Sequence, residues 1–327
     1  MTDTCRNEEI SHMIVVDQGS RASPPLVETD TKVLIIDHHQ SDSFPKRATV
    51  VNACNHHPVA TSSLLTYTIC SPLHPDVMPK TAWLAVLGIF GDLGVQAMRA
   101  NLAPPYPEEL LLAKKIYRTT HLSNLVALIN APRRTPECNT ADAWKLLQHT
   151  PDTDPPPTPK RILDGEVNKE LLEKLQDARA RVKAEIQRCA HTPPTFSKDK
   201  RVAVVYIESR YQVHGVIATR WARSLQSNDL EVVIAANGGY VDDKVNFSCR
   251  VVRERRVAEG EEGGVNIIEM LKEYAGKDPW VRDNVGADFA NGHKEATGGS
   301  VRRDVWEAFV KKGLELEMRK TKSKKKE

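Results

Sequence analysis

Short aliphatic runs that end on an acid recur near the start of the chain: "HMIVVDQGS" reaches Asp17 and "KVLIIDHH" reaches Asp37. An unbroken apolar run of this length fits a strand buried on both faces, as in a parallel sheet. From residue 60 onward the apolar spacing changes to three and four, which predicts helices over 60–69, 80–94, 107–120 and 140–149. A longer helix, 167–189, carries Leu171, Leu172, Leu175, Ala178 and Val182 on one stripe and charge elsewhere. Beyond it the strand-like "RVAVVYIES" (201–209), "LEVVIAAN" (230–237) and "KVNFSCRVV" (244–252) accompany the helical "HGVIATRWARSLQ". Strands alternating with helices predict an α/β layer fold, and the pattern occurs twice.

One segment interrupts it. "TPDTDPPPTPK", 150–160, holds five prolines in eleven residues, which excludes helix interior and inner strand and favours a semi-rigid spacer. The expected organisation is a parallel-sheet domain over 1–150, a linker and connecting helix over 151–195, a smaller α/β domain over 196–318 and a basic tail over 319–327. A length of 327 residues agrees, being more than one core fills.

Composition narrows the function classes. The chain is 40% hydrophobic and 27% charged, ordinary for a globular protein. Its longest apolar run, "AWLAVLGIF" (82–90), is far short of the roughly 20 residues of a membrane span. The opening "MTDTCRNEEI" is polar and acidic, unlike a signal or transit peptide. Cysteines at 5, 54, 70, 138, 189 and 249 show no CxxC pair, and reduced thiols in cytoplasm or nucleus are the default. The net charge of +3 is uneven, because 311–327 carry eight Lys or Arg against three Glu. Such a tail suits nucleic acid or a nuclear address, and equally a solvated terminus.

The acids that end the first two strands matter most. In an open α/β sheet, ligands gather beyond the carboxyl ends of the strands. Asp17 and the triplet Asp37-His38-His39 fall there, and Asp92 in "LGIFGDLG" ends an apolar helix. Carboxylates and imidazoles together suit a hard or borderline divalent cation, and such a set can hold two ions about 3.5 to 4 Å apart for phosphoester chemistry. Each acid also has a plainer reading: Asp17 and Asp37 as caps of following helices, Asp92 as the close of a turn. His56 and His57, beside Cys54 and followed by Pro58, read as loop residues.

With "VLIIDHHQ" preceded by "MIVVDQG" and followed by "GIFGDLG", the sequence resembles the DHH phosphoesterases, a family of RecJ-type exonucleases, nanoRNases, cyclic-dinucleotide phosphodiesterases and family II pyrophosphatases. "NFSCR" resembles the Ser-x-Arg strand of the family's C-terminal domain, and "ADFANGHKEATGGSVRR" its glycine-rich GGH motif. The resemblance covers about residues 12–303. It implies Asp17 as a carboxylate bridging two Mn²⁺ ions, with Mg²⁺ as a substitute, and His38 and Asp92 as further ligands. It implies His39 facing the substrate phosphate with Asp37 orienting its neighbours. Arg250 would grip phosphate, and the backbone at Gly292 with His293, Gly298 and Gly299 would cradle the nucleotide; the plainer reading makes those glycines turns.

Two departures accompany the match. Family members begin with a strand carrying D-x-D, whereas "MTDTCRNEEISH" holds Asp3 and no apolar run. The expectation is therefore an N-terminally truncated or degenerate parallel-sheet domain. Asn291 also stands where glycine is usual. The functional expectation is a metal-dependent phosphoesterase on single-stranded or short oligonucleotides, weak for want of the first motif. The alternative is a non-catalytic nucleotide or nucleic-acid binding protein on the same scaffold.

Overall fold

The computed structural model describes residues 10–27, 30–56, 59–98, 106–148, 155–255 and 264–316. The acidic start with Asp3, His57, the first half of the proline-rich run and the basic tail lie outside the described residues.

Contacts divide the chain into two units, 1–132 with 139–179 and 133–138 with 180–327. The last passage from one to the other, at 179–180, lies inside a helix. The described prolines of the run, Pro155 to Pro159, belong to the first unit.

In the first unit, β1 (His12–Val16), β2 (Lys32–Asp37) and β3 (Ala48–Asn52) form a parallel sheet in that order. Val16 pairs with Ile36 and Asp37 with Asn52. Parallel strands end on the same side, so Asp17, Asp37 and Asn52 share one edge. β2 is central and buries Ile35 and Ile36. The expected strands are β1 and β2; β3 is additional, its "ATVVN" too short to separate from loop by pattern.

Five helices follow: α1 (Ser62–Cys70), α2 (Val77–Asp92), α3 (Glu108–Tyr117), α4 (Thr119–Ile129) and α5 (Thr140–Leu147). α2 is apolar nearly all round and lies in the middle of a core with Leu110, Leu122, Leu125 and Leu128. The single helix expected over 107–120 ends at Arg118, where φ is +58°. The reason is register. Leu110, Ala113 and Tyr117 would continue at His121 and Asn124, so the chain must restart for Leu122, Leu125 and Leu128 to reach the core. After the short α6 (Pro159–Leu163), α7 (Lys169–Ala190) buries Leu172 and Leu175 in the first unit's core and Val182 and Cys189 in the second's.

The second unit holds a six-stranded mixed sheet: β4 (Thr195–Phe196), β5 (Val202–Ile207), β6 (Val232–Asn237), β7 (Lys244–Val251), β8 (Asn291–His293) and β9 (Ala296–Arg302), in the order β4-β5-β6-β7-β9-β8. Only β5 and β6 pair in parallel. β6, "VVIAAN", is wholly buried, because both faces are covered. On one face Phe247 and Val245 meet α9 (Ile267–Gly276), α10 (Pro279–Asn284) and α11 (Arg303–Ala308) through Leu271, Tyr274, Val281 and Trp306. On the other, Val205 and Ala235 pack against Ile217 and Ala218 of α8 (His214–Ser224).

Among the described residues β1 is an edge strand, and its Ile14 and Val16 are 66% and 50% exposed. An open apolar edge invites pairing between molecules. Ile14→Lys is therefore expected to reduce concentration-dependent association in light scattering while stability changes by no more than about 0.5 kcal/mol. Unchanged association would show that this edge does not pair.

Candidate metal centre and anion pocket

The carboxyl edge of the first sheet is built on Asp37. Its carboxylate is 0% exposed. One oxygen accepts from the backbone N–H of His38 (2.8 Å) and of His39 (3.3 Å) and pairs with His39 Nδ1 at 2.7 Å. The other accepts from the Ser20 N–H at 3.0 Å. Burial is the largest influence and pushes this acid up, yet the donations from Ser20, His39 and the two backbone amides outweigh it and hold it at about 2. An ionised Asp37 can only accept, so His39 Nδ1 carries the proton and Nε2 is turned away from it. Asn52 secures the loop, donating to Ser20 Oγ and to the His39 carbonyl.

His38 lies buried next to this anchor, and its Nε2 stands 3.4 Å from Asp17 Oδ1 and 3.3 Å from Asp92 Oδ2. Asp17 adopts a left-handed φ of +59°, with its N–H on the Ile36 carbonyl, which turns the chain sharply off β1. Its carboxylate also accepts from Ser62 Oγ at 3.0 Å. The His38 imidazole holds Asp17 below the usual carboxylate range against the opposing effect of burial. In turn Asp17, followed by Asp92, raises His38 above its ordinary value despite desolvation. Asp17, His38 and His39 each offer a ligand atom, all within 4.8 Å of one another.

A second cluster lies in the other unit. A pocket of about 570 Å³ opens beside the N-terminus of α8 and the outer face of β7. Arg134, Arg220, Arg223 and Arg250 line it together with His214 and Ser248. His214 is buried, and among the described residues its Nδ1 has no hydrogen-bond partner. Burial first, and then the Arg250 charge, lower it to about 4, so it is neutral at pH 7. Burial and the adjacent Arg133 likewise pull down Arg134. Several cations around one cavity with a helix N-terminus at its side are suited to an anion.

The sequence-derived residues thus fall into separate groups. Asp17, His38, His39 and Asp92 come together, with Asp37 behind them. Arg250 pairs with Ala296 in the register, and Ala296 with His293, so Arg250 and His293 share one face of the sheet, two strands apart. Gly292 needs its glycine, since φ is +131° and a Cβ would lie 2.7 Å from the Ala296 carbonyl oxygen. Gly298 and Gly299 make no turn. They lie inside β9, where a Cβ would lie 2.5 Å from the Phe247 oxygen and 2.6 Å from the Asp288 oxygen respectively, so tight backbone packing explains both. Asn291 folds its side chain back onto the Ala287 carbonyl. Ser20, Asn52, Ser62 and the pocket's His214, Arg134, Arg220 and Arg223 were not anticipated from the sequence. Ser62 alone had a local signal, the "TSS" cluster at an expected helix start.

No family profile matches the sequence, and no curated protein does. Solved structures do. RecJ from Thermus thermophilus in complex with Mn²⁺ superimposes with a TM-score of 0.60 at 17% identity, over 96% of this chain and 46% of that one. An exonuclease RecJ bound to manganese gives 0.51 at 17% identity, over 95% and 77%. The DHH domain of a member of the s1p family of ribosomal proteins gives 0.54 at 14%, over 93% and 70%. The chain has the RecJ-type DHH fold. It spans a little under half the length of the Thermus protein.

Within this DHH fold the donor set fits a divalent cation. Ligand atoms bound at about 2.1 Å to one octahedral ion stand about 3 Å apart, close to the 3.3 and 3.4 Å that separate His38 Nε2 from its two carboxylates. Asp17, His38 and His39 offer one carboxylate and two imidazoles, without thiolate, which suit a hard or borderline ion.

A ligating imidazole must shed its proton, and His38 is raised. With Mn²⁺ as probe, calorimetric affinity is expected to fall by up to about tenfold per pH unit below the His38 pKa. It should be lost in Asp17→Ala. An affinity constant from about pH 8 to pH 5 would contradict ligation by His38.

Proposed function

We propose that this chain is a divalent-metal-dependent phosphoesterase scaffold for short or single-stranded oligonucleotides, with Mn²⁺ as the preferred ion. The observation that carries the reading is the convergence of Asp17 and Asp92 on His38 Nε2 at the carboxyl edge of a parallel sheet. The manganese and exonuclease of the RecJ structures with this fold support it. A bound ion would polarise a phosphoryl oxygen and acidify its water. The chain's own residues do the rest. Asp37 keeps the His39 ring oriented by the bond to Nδ1, so that half-exposed Nε2 is the atom available to a phosphate oxygen. Arg250, among the arginines of the anion pocket, and the strand with Gly292 and His293, two strands away in the same sheet, would hold further phosphate in the second unit. A cavity of 570 Å³ accommodates a nucleotide.

Hydrolysis by this chain is slow in this reading. Among the described residues, Asp17, His38 and Asp92 supply a partial set for one ion and little beyond the bridge for a second. Ligands missing from a hard-ion site are replaced by water, which loosens the in-line geometry. A sparse ligand set in the first unit, taken with a well-furnished anion pocket in the second, is also what favours the second reading, a protein that binds oligonucleotides without cleaving them.

One experiment separates them. A labelled 5′-phosphorylated oligonucleotide should bind, and Arg250→Ala should weaken it by about 1.5 to 3 kcal/mol, one to two decades. Mn²⁺-dependent cleavage that disappears in Asp92→Ala supports the enzyme; binding without cleavage at any Mn²⁺ concentration supports the binder. Equal affinity of a folded Arg250→Ala variant would remove phosphate binding at Arg250 from both.

A further inference from the structure

The start of α1 touches the Asp17 carboxylate and packs against α2, the helix that ends on Asp92. Thr61 caps the helix, its Oγ1 accepting from the Leu64 N–H. That leaves the next hydroxyl for another use. Ser62 is buried, and its Oγ donates to Asp17 Oδ1 across 45 residues. The Asp17 main chain is fixed by its bond to Ile36, but its side chain is 60% exposed, so packing leaves the carboxylate orientation open. The Ser62 hydrogen bond restricts it.

Ser63 acts on the neighbouring helix. A Cβ at Gly88 would lie 2.3 Å from Ser63 Oγ and 2.4 Å from Ser63 Cβ, so α1 and α2 cross there at a distance only glycine permits. Ser63 Oγ meets Thr61 Oγ1 at 2.8 Å and donates to the Ala85 carbonyl at 3.3 Å, which ties the crossing together. Gly88 precedes Asp92 by four residues, one helical turn, and therefore lies on the same face of α2.

We propose that Thr61 to Ser63 form a positioning device for the metal centre, in which Ser62 orients the Asp17 carboxylate and the Ser63–Gly88 contact sets the height of Asp92. The inference rests on the reading of Asp17, His38 and Asp92 as ligands. Groups that orient a ligand from behind typically change metal affinity by ten- to a hundredfold.

The test is calorimetric titration of the full chain with Mn²⁺, paired with thermal denaturation in chelator. Ser62→Ala should bind Mn²⁺ about tenfold more weakly at an unchanged melting temperature, and Ser62→Thr, which keeps the hydroxyl, should restore affinity. Gly88→Ala should weaken binding as well, and Ser63→Gly combined with Gly88→Ala should recover it by returning the space. Parental affinity in Ser62→Ala would overturn the inference and leave the ligand assignment standing. A parent that binds no Mn²⁺ would overturn the ligand assignment and the inference with it.

Discussion

A carboxylate that water cannot reach must have its charge met by donors, and Asp37 meets its charge with the residues that matter for the site. Four donations converge on it, three of them from His38 and His39. An isolated buried charge would instead take up a proton. Held at about 2 rather than the 3.8 of a free aspartate, this group contributes about 2 kcal/mol of stability. Because the folded value is the depressed one, that contribution is present above about pH 4 and is lost as pH falls toward 2. The same four bonds fix the histidine loop, so the anchor of the edge and the orientation of the His39 imidazole are one interaction.

From this anchor the arrangement follows in order of sequence distance. β2 delivers His38 and His39 directly. The parallel register brings β1 alongside, and the left-handed turn at Asp17 sends its carboxylate over the end of the neighbouring strand. Asp92 arrives from α2, whose apolar surface makes it the centre of the first unit's core. A helix that large cannot shift without opening the core, which makes it a rigid mount for Asp92. In the second unit the cations are mounted differently. Alternation along β7 sends Phe247 and Cys249 into one core and leaves Ser248 and Arg250 on the opposite face, at the N-terminus of α8.

Much of this was legible because it is local. Apolar runs ending in acid gave away β1 and β2, and the helical spacing of "KTAWLAVLGIFGDLG" placed Asp92 at a helix end. What could not be read is what depends on tertiary register. Arg118 interrupts a helix only because the leucines after it must face the core that Leu110 faces. Arg134 and Arg220 are 86 positions apart by their numbers and share a pocket only through the fold. Gly298 and Gly299 look like a turn in one dimension, whereas the close approach of Phe247 and Asp288 makes them strand residues. Ser62 carries a short polar side chain at a helix start, a pattern that fits capping; that its neighbour Thr61 is the cap, leaving Ser62 for Asp17, needs the coordinates.

If the sheet edge is a cation site built by the fold, anomalous diffraction from crystals of the chain grown with Mn²⁺ will locate the ion there. A manganese peak within about 2.3 Å of His38 Nε2 and of an oxygen of Asp17 or Asp92 is expected. Well-ordered density for all three side chains with no anomalous peak among them, at a saturating concentration of the metal, would contradict it.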